Sequence, residues 1–476
     1  MKTKLLIALS IWGNGVLASS AQEAIFNFSG KVVDRSGKGI AGVVVNDGVH
    51  FTKTDAKGGW ALTSDTTVSK FVSITTPANY QLPQQEGLAE GFYIPVKQLA
   101  EGKKSDFVLE KRKEVKDNFY YIAVSDPQVR KATDMQRWKQ EAIADMKIVI
   151  DSLKRSREVI GMTLGDLVYD NMPLFSEYKQ SLKNTGAVFF QCIGNHDFDL
   201  KYQDLHNMEL GTPVYAEMYY HRTFGPTDYS FNVGKAHIVT LKNLNYMGGK
   251  KYEESLTGQQ LAWLKKDLSY VPKGSLVILN MHAAAWNKVA NTGNITNGAA
   301  LQEVLKDYNV HVFCGHTHFA QNNEVADNLY EHNIGAACGA WWTGWVNQCG
   351  APNGYMVVEV NGENLKWKYK GTRRYFDYQF RLYGKGKFFT QQSFVVANIW
   401  DWDSACKVVW YQDGKLMGEM LQFTDADETI ASEKKVRSQA VPTGHLFRAL
   451  PADGAKEVKV EFTNRFGEVF TETVQL

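Results

Sequence analysis

Cysteine is scarce in this chain, with only five among its 476 residues. Five cysteines are too few for a disulfide scaffold, and they do not form the paired CxxC pattern of a structural zinc site. The fold must therefore rest on its hydrophobic core. At about 150 residues per domain the length predicts two to four domains, and a composition with 44% hydrophobic and 12% aromatic residues excludes wholesale disorder.

An excess of charge of either sign is also lacking. Lysine and arginine number 53 and aspartate and glutamate 51, which leaves a net charge of +2. No overall basic field draws the chain to nucleic acid or anionic lipid, and we expect no nucleic-acid polymer as a partner. Any attraction for an anion must be local.

Long hydrophobic runs are confined to the N-terminus. Two lysines precede an apolar stretch, Leu5–Val16, which small residues follow as far as Ala21. This pattern predicts a secretory signal peptide at residues 1–21, and hence an exported protein, periplasmic or secreted. A membrane anchor fits less well, because Asn14 interrupts the stretch, which falls short of the ~20 residues that a spanning helix needs.

Short segments of alternating polarity occupy both ends of the remaining chain, whereas strand-like and helical patterns alternate in its middle. Residues 22–112 and 373–476 are typical of two all-β sandwich domains. The alternation of strand-like and helical patterns in residues 113–372 predicts an α/β layered domain. In it, apolar residues at steps of three and four within Met135–Leu153 indicate an amphipathic helix, and Thr257 caps another.

Side chains of the kind that bind metals follow the predicted strands of the middle domain. They are Asp126, Asp166, Asn195, His282, and the pair His316 and His318. Because the carboxyl ends of neighbouring strands in an open α/β sheet meet at one crevice, we expect a single site. A carboxylate flanked by nitrogen and oxygen ligands suits two adjacent metal ions, and Asp166 is the natural bridge between them.

These motifs, taken in chain order, resemble those of the calcineurin-like metallophosphoesterases over residues 118–369. The matching motifs are Asp126-x-Gln128, Gly165-Asp166, Gly194-Asn195-His196-Asp197, His282 and Gly315-His316-x-His318. The resemblance implies an α/β (α+β layered) core with a mixed β-sandwich. A β module before the core, whose segment Phe28–Val45 resembles the carboxypeptidase-regulatory-like (transthyretin-like) modules, and another after it are similar to a bacterial exported subgroup of the family.

The resemblance also implies a set of ligands and a reaction. One ion would be held by Asp126, Gln128, Asp166 and His318, and the other by Asp166, Asn195, His282 and His316. His196 would be the acid that protonates the leaving oxygen, or it would stabilise the charge of the transition state, and Asp197 would orient it. The implied reaction is hydrolysis of a phosphate monoester or diester by attack of a metal-bound hydroxide.

One ligand departs from the commonest form of the family, since Gln128 stands where a histidine is usual. An amide oxygen in place of an imidazole nitrogen favours Mn, Fe or Mg, with Zn still possible. Gly165-Asp166-x-x-Tyr169 also matches the purple acid phosphatase pattern, in which the tyrosine binds ferric iron. Those proteins lack a ligand at the position of Gln128, and we therefore expect Tyr169 to line the pocket instead.

Other residues are candidates for contact with a substrate. Trp286, Trp341 and Trp342 would form an aromatic wall, or Trp341 and Trp342 would instead attach the core to a neighbouring sandwich. The adjacent pair His221 and Arg222 would meet a phosphate or carboxylate. Asp170 is interpreted as a solvated loop carboxylate, and Cys338 and Cys349 are spaced so that they could pair in an oxidising compartment.

The metal site does not determine whether the substrate is a phosphorylated small molecule, a lipid or a glycan. A nucleotidase or a phospholipid-directed phosphodiesterase would use the same metals. In a different class, a catalytically weak protein would use the fold to bind a cell-surface glycan or a protein partner. Completeness argues against this last alternative, because seven of the eight positions formed by the metal ligands and His196 hold the residue expected of the family.

Overall fold

The computed structural model describes residues 24–103, 105–202, 215–287, 294–432 and 437–476. The signal peptide predicted at residues 1–21 lies outside these ranges. Over the ranges that are described, no helix is both long and apolar enough to cross a membrane.

The N-terminal module is a pair of small β-sheets, ordered β4-β1-β9 and β3-β2-β5-β8. Its elements are β1 (Ile25–Asp34), β2 (Val44–Asn46), β3 (Phe51–Lys53), β4 (Gly59–Asp65), β5 (Phe71–Thr75), β6 (Gln84–Gln85), β7 (Leu88–Ala89), β8 (Tyr93–Pro95), α1 (Val96–Ala100) and β9 (Phe107–Leu109). Trp60, Leu62 and Ser64 are buried in β4 while the residues between them are exposed, as expected for a strand with one face on a core.

The central domain alternates strands and helices. Its elements are β10 (Asn118–Val124), α2 (Ala132–Arg137), a π-helical turn (Trp138–Ile143), α3 (Ala144–Leu153), β11 (Val159–Leu164), α4 (Phe175–Leu182), β12 (Val188–Cys192), α5 (Met218–Phe224), β13 (Tyr229–Val233), β14 (Ala236–Thr240), β15 (Leu244–Gly248), β16 (Lys251–Glu254), α6 (Gly258–Leu268), β17 (Leu276–Asn280), α7 (Gly298–Leu305), β18 (Asn309–Cys314), β19 (Gln321–Ala326), β20 (Leu329–Asn333), β21 (Gly354–Asn361) and β22 (Asn364–Gly371). Short 3₁₀ turns lie at Met172–Leu174, Lys183–Thr185 and Asn195–Asp197.

These strands form two mixed sheets, ordered β22-β21-β10-β11-β12-β7-β6 and β13-β14-β17-β18-β20-β19. Tyr121, Ile160 and Phe313 belong to the buried cluster between the sheets, and Tyr121 donates a hydrogen bond to Asn280 across them at 2.6 Å. The outer faces pack against helices, including the amphipathic helix predicted from Met135 onward. The α/β core with a mixed β-sandwich is therefore confirmed.

The C-terminal module consists of two four-stranded antiparallel sheets, ordered β23-β24-β28-β27 and β26-β25-β29-β30. Its elements are β23 (Arg381–Tyr383), a 3₁₀ turn (Phe389–Gln391), β24 (Val395–Asn398), β25 (Lys407–Gln412), β26 (Lys415–Glu419), β27 (Leu421–Asp425), α8 (Glu428–Ser432), a 3₁₀ turn (Arg437–Gln439), β28 (Thr443–Ala449), β29 (Glu457–Thr463) and β30 (Val469–Gln475). A hydrogen bond of 2.9 Å from Tyr330 to Asp403 joins the module to the core, and Arg465 of the module pairs with the same carboxylate at 2.6 Å.

Candidate metal centre

All seven predicted metal ligands lie just after the carboxyl ends of five central strands. Asp126 and Gln128 follow β10, Asp166 follows β11 and Asn195 follows β12 of the first sheet, while His282 follows β17 and the pair His316 and His318 follows β18 of the second. The parallel pairs β10-β11-β12 and β17-β18 bring these ends to one edge of the sandwich. The seven residues therefore lie along one edge of the sandwich, where a single site was expected.

The backbone is left-handed at most of these ligands. Twelve described non-glycine residues have positive φ, and five of them are predicted ligands: Asp126 (50°), Gln128 (41°), Asp166 (52°), His316 (70°) and His318 (54°). This conformation is costly for residues with a Cβ atom and concentrates at functional sites. The unfavourable backbone conformation of these loops therefore places the side chains of the ligands.

Glycine is required where two of the loops approach each other. A Cβ atom on Gly315 would lie 1.6 Å from the Ser125 hydroxyl and 2.5 Å from a carboxylate oxygen of Asp126. A Cβ atom on Gly194 would lie 2.2 Å from the Asp166 carboxylate. Any other residue at either position would push a ligand aside.

Three ligands of the first predicted ion each carry a buried polar atom that has no hydrogen-bond partner among the described residues. These atoms are Asp126 Oδ1, Gln128 Oε1 and His318 Nε2. Asp126 Oδ1 and His318 Nε2 lie 3.5 Å apart. Buried polar atoms are normally satisfied, so the three orphaned electron-pair donors on these neighbouring loops match a site for a cation. These residues fit the first ion of the family.

Asp166 connects this first group of donors with the second. Its Oδ2 accepts a hydrogen bond of 2.7 Å from the Gln128 amide, while its Oδ1 accepts one of 2.9 Å from the His196 backbone and lies 3.3 Å from His282 Nε2. The two oxygens of the Asp166 carboxylate therefore face different groups of donors, as a bridging ligand requires.

The donors of the second predicted ion also converge. Ligand atoms of Asp166, His282 and His316 all lie within 4.8 Å of one another. His282 Nε2 is 3.2 Å from Asn195 Oδ1 and 3.2 Å from His316 Nδ1. This mixed nitrogen and oxygen set fits a divalent cation.

The remaining nitrogen of each ligand histidine is fixed by an acceptor. His282 Nδ1 donates to the Leu164 carbonyl and His318 Nδ1 to the Gly339 carbonyl, both at 2.6 Å. His316 Nε2 lies 3.1 Å from the Glu254 carboxylate. Such acceptors set the tautomer that a metal-binding imidazole needs. Glu254 was not predicted from the sequence, because it lies at the end of β16 in no recognisable motif.

Burial and charge act in opposite directions on the ionisable ligands. Burial disfavours the ionised form of Asp166, yet the neighbouring imidazoles of His282, His196 and His316 lower its pKa. Burial also disfavours a charged His282, but the Asp166 carboxylate outweighs it and raises the pKa to about 10. Burial lowers the pKa of His318, which keeps that imidazole neutral and able to bind a cation.

His196 is held beside the ligands by a carboxylate and a ring. Its Nδ1 lies 2.8 Å from Asp170 Oδ1, and its imidazole stacks on Tyr169 with centroids 3.8 Å apart. Burial opposes protonation, but Asp166 and Asp170 raise the pKa of His196 above its usual value. Asp170 is an exposed loop carboxylate, as expected, and it also binds His196, which was not expected.

Asp197 does not orient His196, contrary to the prediction. Its carboxylate is buried and accepts three backbone N–H groups, from Gly194 at 2.9 Å, Val168 at 3.1 Å and Leu167 at 3.2 Å. It therefore ties the loop after β12 to the loop after β11. The role is one of positioning the backbone of two ligands.

The two tryptophans of the predicted wall have different environments. Trp341 is half-buried and stacks on the ligand His318 at 4.6 Å, so it lies at the metal centre. Trp342 is buried and its indole N–H donates to the Pro127 carbonyl at 2.8 Å. The prediction that Trp342 contacts substrate is corrected on this ground, because the ring supports the loop between Asp126 and Gln128 instead.

The other substrate candidates lie elsewhere. His221 pairs with Glu217 at 3.3 Å on α5 and packs edge-on against Phe71 of the N-terminal module, and Arg222 is exposed. The structure thus separates this pair from the ligands. Trp286 is half-buried and makes, within the described residues, no hydrogen bond or ring contact with a ligand, so its role stays a prediction.

Every cysteine of the described chain is a free thiol. Cys338 is buried with its Sγ 3.7 Å from His318 Nδ1, and Cys349 is buried and accepts a hydrogen bond from the Ala320 backbone at 3.3 Å. The pairing of Cys338 with Cys349 that the sequence allows is not formed. Both thiols pack as small apolar groups.

Three family models match the chain in succession. The N terminal of Calcineurin-like phosphoesterase matches residues 26–112, Calcineurin-like phosphoesterase matches residues 121–320, and the C terminal of Calcineurin-like phosphoesterase matches residues 331–470. Together they span both β modules and the core that carries the metal centre. No curated protein matches the chain.

Solved structures with similar folds share little sequence with this chain. A dimetal phosphatase from Danio rerio is 13% identical with a TM-score of 0.37, over 53% of this chain and 96% of the other. A purple acid phosphatase from yellow lupin seeds is 11% identical with a TM-score of 0.40, over 73% and 67%. A 5'-nucleotidase from Candida albicans is 12% identical with a TM-score of 0.32, over 54% and 51%.

Proposed function

Because this chain belongs to the calcineurin-like phosphoesterase family and is a hydrolase acting on phosphoric ester bonds, we propose that it is an exported enzyme that cleaves phosphate monoesters or diesters of a small molecule, a lipid or a glycan. The observation that carries the chemistry is the pair of donor groups that share Asp166. On one side lie the orphaned atoms Asp126 Oδ1, Gln128 Oε1 and His318 Nε2, and on the other the convergent donors of His282 and His316.

Two divalent ions would be held by these donors. Asp126, Gln128, Asp166 and His318 would bind one, and Asp166, Asn195, His282 and His316 the other. When bound, such a pair neutralises phosphoryl oxygens and activates water for attack on phosphorus. The first set contains three oxygen ligands and one nitrogen, which favours Mn, Mg or Fe over Zn.

His196 would supply the proton that the leaving oxygen requires. Its Nδ1 is engaged with Asp170 at 2.8 Å, which leaves Nε2 as the nitrogen available to a substrate. Stacking on Tyr169 fixes the plane of the ring. A histidine oriented by a carboxylate in this way is a suitable general acid, and such groups typically contribute about 10²- to 10⁴-fold to a rate.

Export rests on the sequence of residues 1–21. The charged start, apolar stretch and small residues before Gln22 match a secretory signal peptide. Expression in a Gram-negative host followed by N-terminal sequencing of the periplasmic protein is expected to yield a chain that starts at Gln22. An uncleaved chain retained in the cytoplasm would contradict this part of the proposal.

The catalytic part is tested with aryl phosphate monoester and diester substrates and with metal analysis. We expect chelation to abolish hydrolysis and Mn²⁺ to restore it. His196→Ala should keep its metal content while kcat falls by about two to four orders of magnitude, whereas Asp166→Asn should lose metal as well.

His50→Ala is the matched control, because His50 is exposed in the N-terminal module and should change neither quantity. Undiminished hydrolysis by the chelated protein, or by His196→Ala with its metals retained, would refute the mechanism.

A further inference from the structure

A second recess lies between the N-terminal module and the core, and we call it the module cleft. Its volume is about 490 Å³, and none of the predicted metal ligands or His196 lines it. Side chains that define it include Ser69, Phe71, Glu217, Lys242, Met247 and Gln260. The volume falls within the range of about 300 to 1,000 Å³ that is typical of small-molecule sites.

Contacts between the module and the core fix the walls of the cleft. The Trp263 indole donates to the Asn46 amide oxygen at 3.0 Å, and the hydroxyls of Thr75 and Ser230 are 3.0 Å apart. Phe71 packs edge-on against the His221 ring at 5.4 Å. The cleft is therefore formed before any ligand enters, which lowers the cost of binding.

Both lysines and the carboxylates of Glu217 and Asp228 in the lining already have partners within the protein. Glu217 lies 2.7 Å from the Lys242 ammonium and 3.3 Å from His221. Asp228 accepts hydrogen bonds from the Gln260 amide at 3.0 Å and from a backbone N–H at 2.8 Å. Lys70, the other lysine of the lining, donates to the Thr67 carbonyl at 2.8 Å.

These contacts of the charged side chains restrict the class of ligand that the module cleft can bind. A phosphate entering the cleft would meet carboxylates and find both lysines already engaged, so it would be repelled. A fatty chain would leave the Ser69 hydroxyl without a partner and would cover the amide and carboxylate groups of the lining with apolar surface, which is costly. Neither the ester substrate of the metal centre nor a lipid suits this recess.

A neutral ligand rich in hydroxyl groups does suit it. The Ser69 hydroxyl is buried and has no hydrogen-bond partner in the part of the chain that the structure describes, so it can both donate to and accept from a ligand. Amide and paired carboxylate groups lie around it, and Phe71 and Met247 supply apolar surface. Sugars present alternating hydroxyl groups and apolar C–H faces to a protein in this manner. We propose that the module cleft binds a neutral carbohydrate unit.

Saturation-transfer NMR on the full chain without its signal peptide provides the test. The probes are glucose, galactose, mannose and N-acetylglucosamine, with maltose, cellobiose and chitobiose. We expect at least one of them to bind, and Met247→Trp, which fills the cleft, to abolish its signal. Met417→Trp is the matched control, since Met417 is an exposed methionine on β26 of the C-terminal module, and it should bind as the wild type does.

Ser69→Ala separates a ligand contact from a structural role. It should weaken sugar binding at least tenfold without lowering Tm, because the hydroxyl that it removes forms no hydrogen bond with any described residue. Failure of all seven sugars to bind, or wild-type binding by Met247→Trp, would overturn the proposal. Displacement of the bound sugar by p-nitrophenyl phosphate would also overturn it, since the cleft would then belong to the substrate site. Hydrolysis is read out separately, so these outcomes leave the proposed function unaffected.

Discussion

His445 makes the stability of the C-terminal module depend on pH. It lies in β28 with 6% of its surface exposed, and neither ring nitrogen has a hydrogen-bond partner among the described residues. Burial lowers its pKa from 6.5 to about 4. In the unfolded chain a histidine titrates near pH 6.5. Between pH 6.5 and 4, His445 therefore binds a proton in the unfolded chain but not in the folded chain.

The difference between the folded and unfolded pKa values of His445 sets the direction and the size of the change in stability with pH. Stability is greatest above pH 6.5, where the imidazole is neutral in both states, and it falls as the pH is lowered toward 4. Each pKa unit corresponds to about 1.4 kcal/mol. His445 therefore lowers the free energy of unfolding by about 2 kcal/mol at pH 5 and by about 3 kcal/mol at pH 4, relative to its value at neutral pH.

The perturbation is His445→Leu, which has a similar volume and no titratable group. Urea unfolding followed by circular dichroism at pH 8 and pH 5 should show the wild type losing about 2 kcal/mol more than the variant. At pH 8 the variant should be at least as stable, because it removes a buried imidazole that bonds nothing. His50→Leu, at an exposed position, is the control. A parallel loss of stability in wild type and His445→Leu would refute the reasoning.

Three further outcomes are expected at other positions. Glu254→Gln should weaken binding of the second ion by about 10- to 100-fold in a metal titration, while the exposed Glu303→Gln leaves it unchanged. Gly315→Ala should lower both metal content and Tm because its Cβ would overlap Ser125, whereas Gly344→Ala, whose Cβ has no atom of the described residues within 4 Å, should alter neither. A thiol assay on the denatured, unreduced chain should count five thiols, and a count of three would mean that a disulfide forms.

The general position of the metal centre could be predicted from sequence because it depends on a few local rules. Apolar runs gave the strands, and parallel strands bring the residues after their carboxyl ends together. Asp126, Asp166 and His282 are far apart in the chain but each directly follows such a run. The helix from Met135 onward and the capping role of Thr257, whose hydroxyl accepts from the Gln260 backbone at 3.2 Å, were predictable for the same reason, since both rest on short-range patterns.

The partners of individual side chains could not be predicted in this way. Asp170 and Asp197 both lie close to a motif, and only the path of the loops decides that Asp170 reaches His196 while Asp197 turns to three backbone N–H groups. Trp342 and Trp341 are neighbours, yet one is buried and the other covers His318. Such choices depend on contacts between segments distant in sequence, which no local pattern encodes.

The conformation of the ligands explains why a glutamine is tolerated at one of them. Positive φ at a residue with a Cβ atom costs on the order of 1 kcal/mol or more, so these loops must be held by their surroundings. The Asp197 carboxylate ties the Asp166 loop to the Asn195 loop, and Trp342 holds the loop between Asp126 and Gln128 from its backbone. The position of Gln128 is therefore set by main-chain contacts that do not depend on its side chain. Its Oε1 remains buried beside Asp166 as an oxygen donor, so the exchange alters which metal is preferred while the geometry of the centre persists.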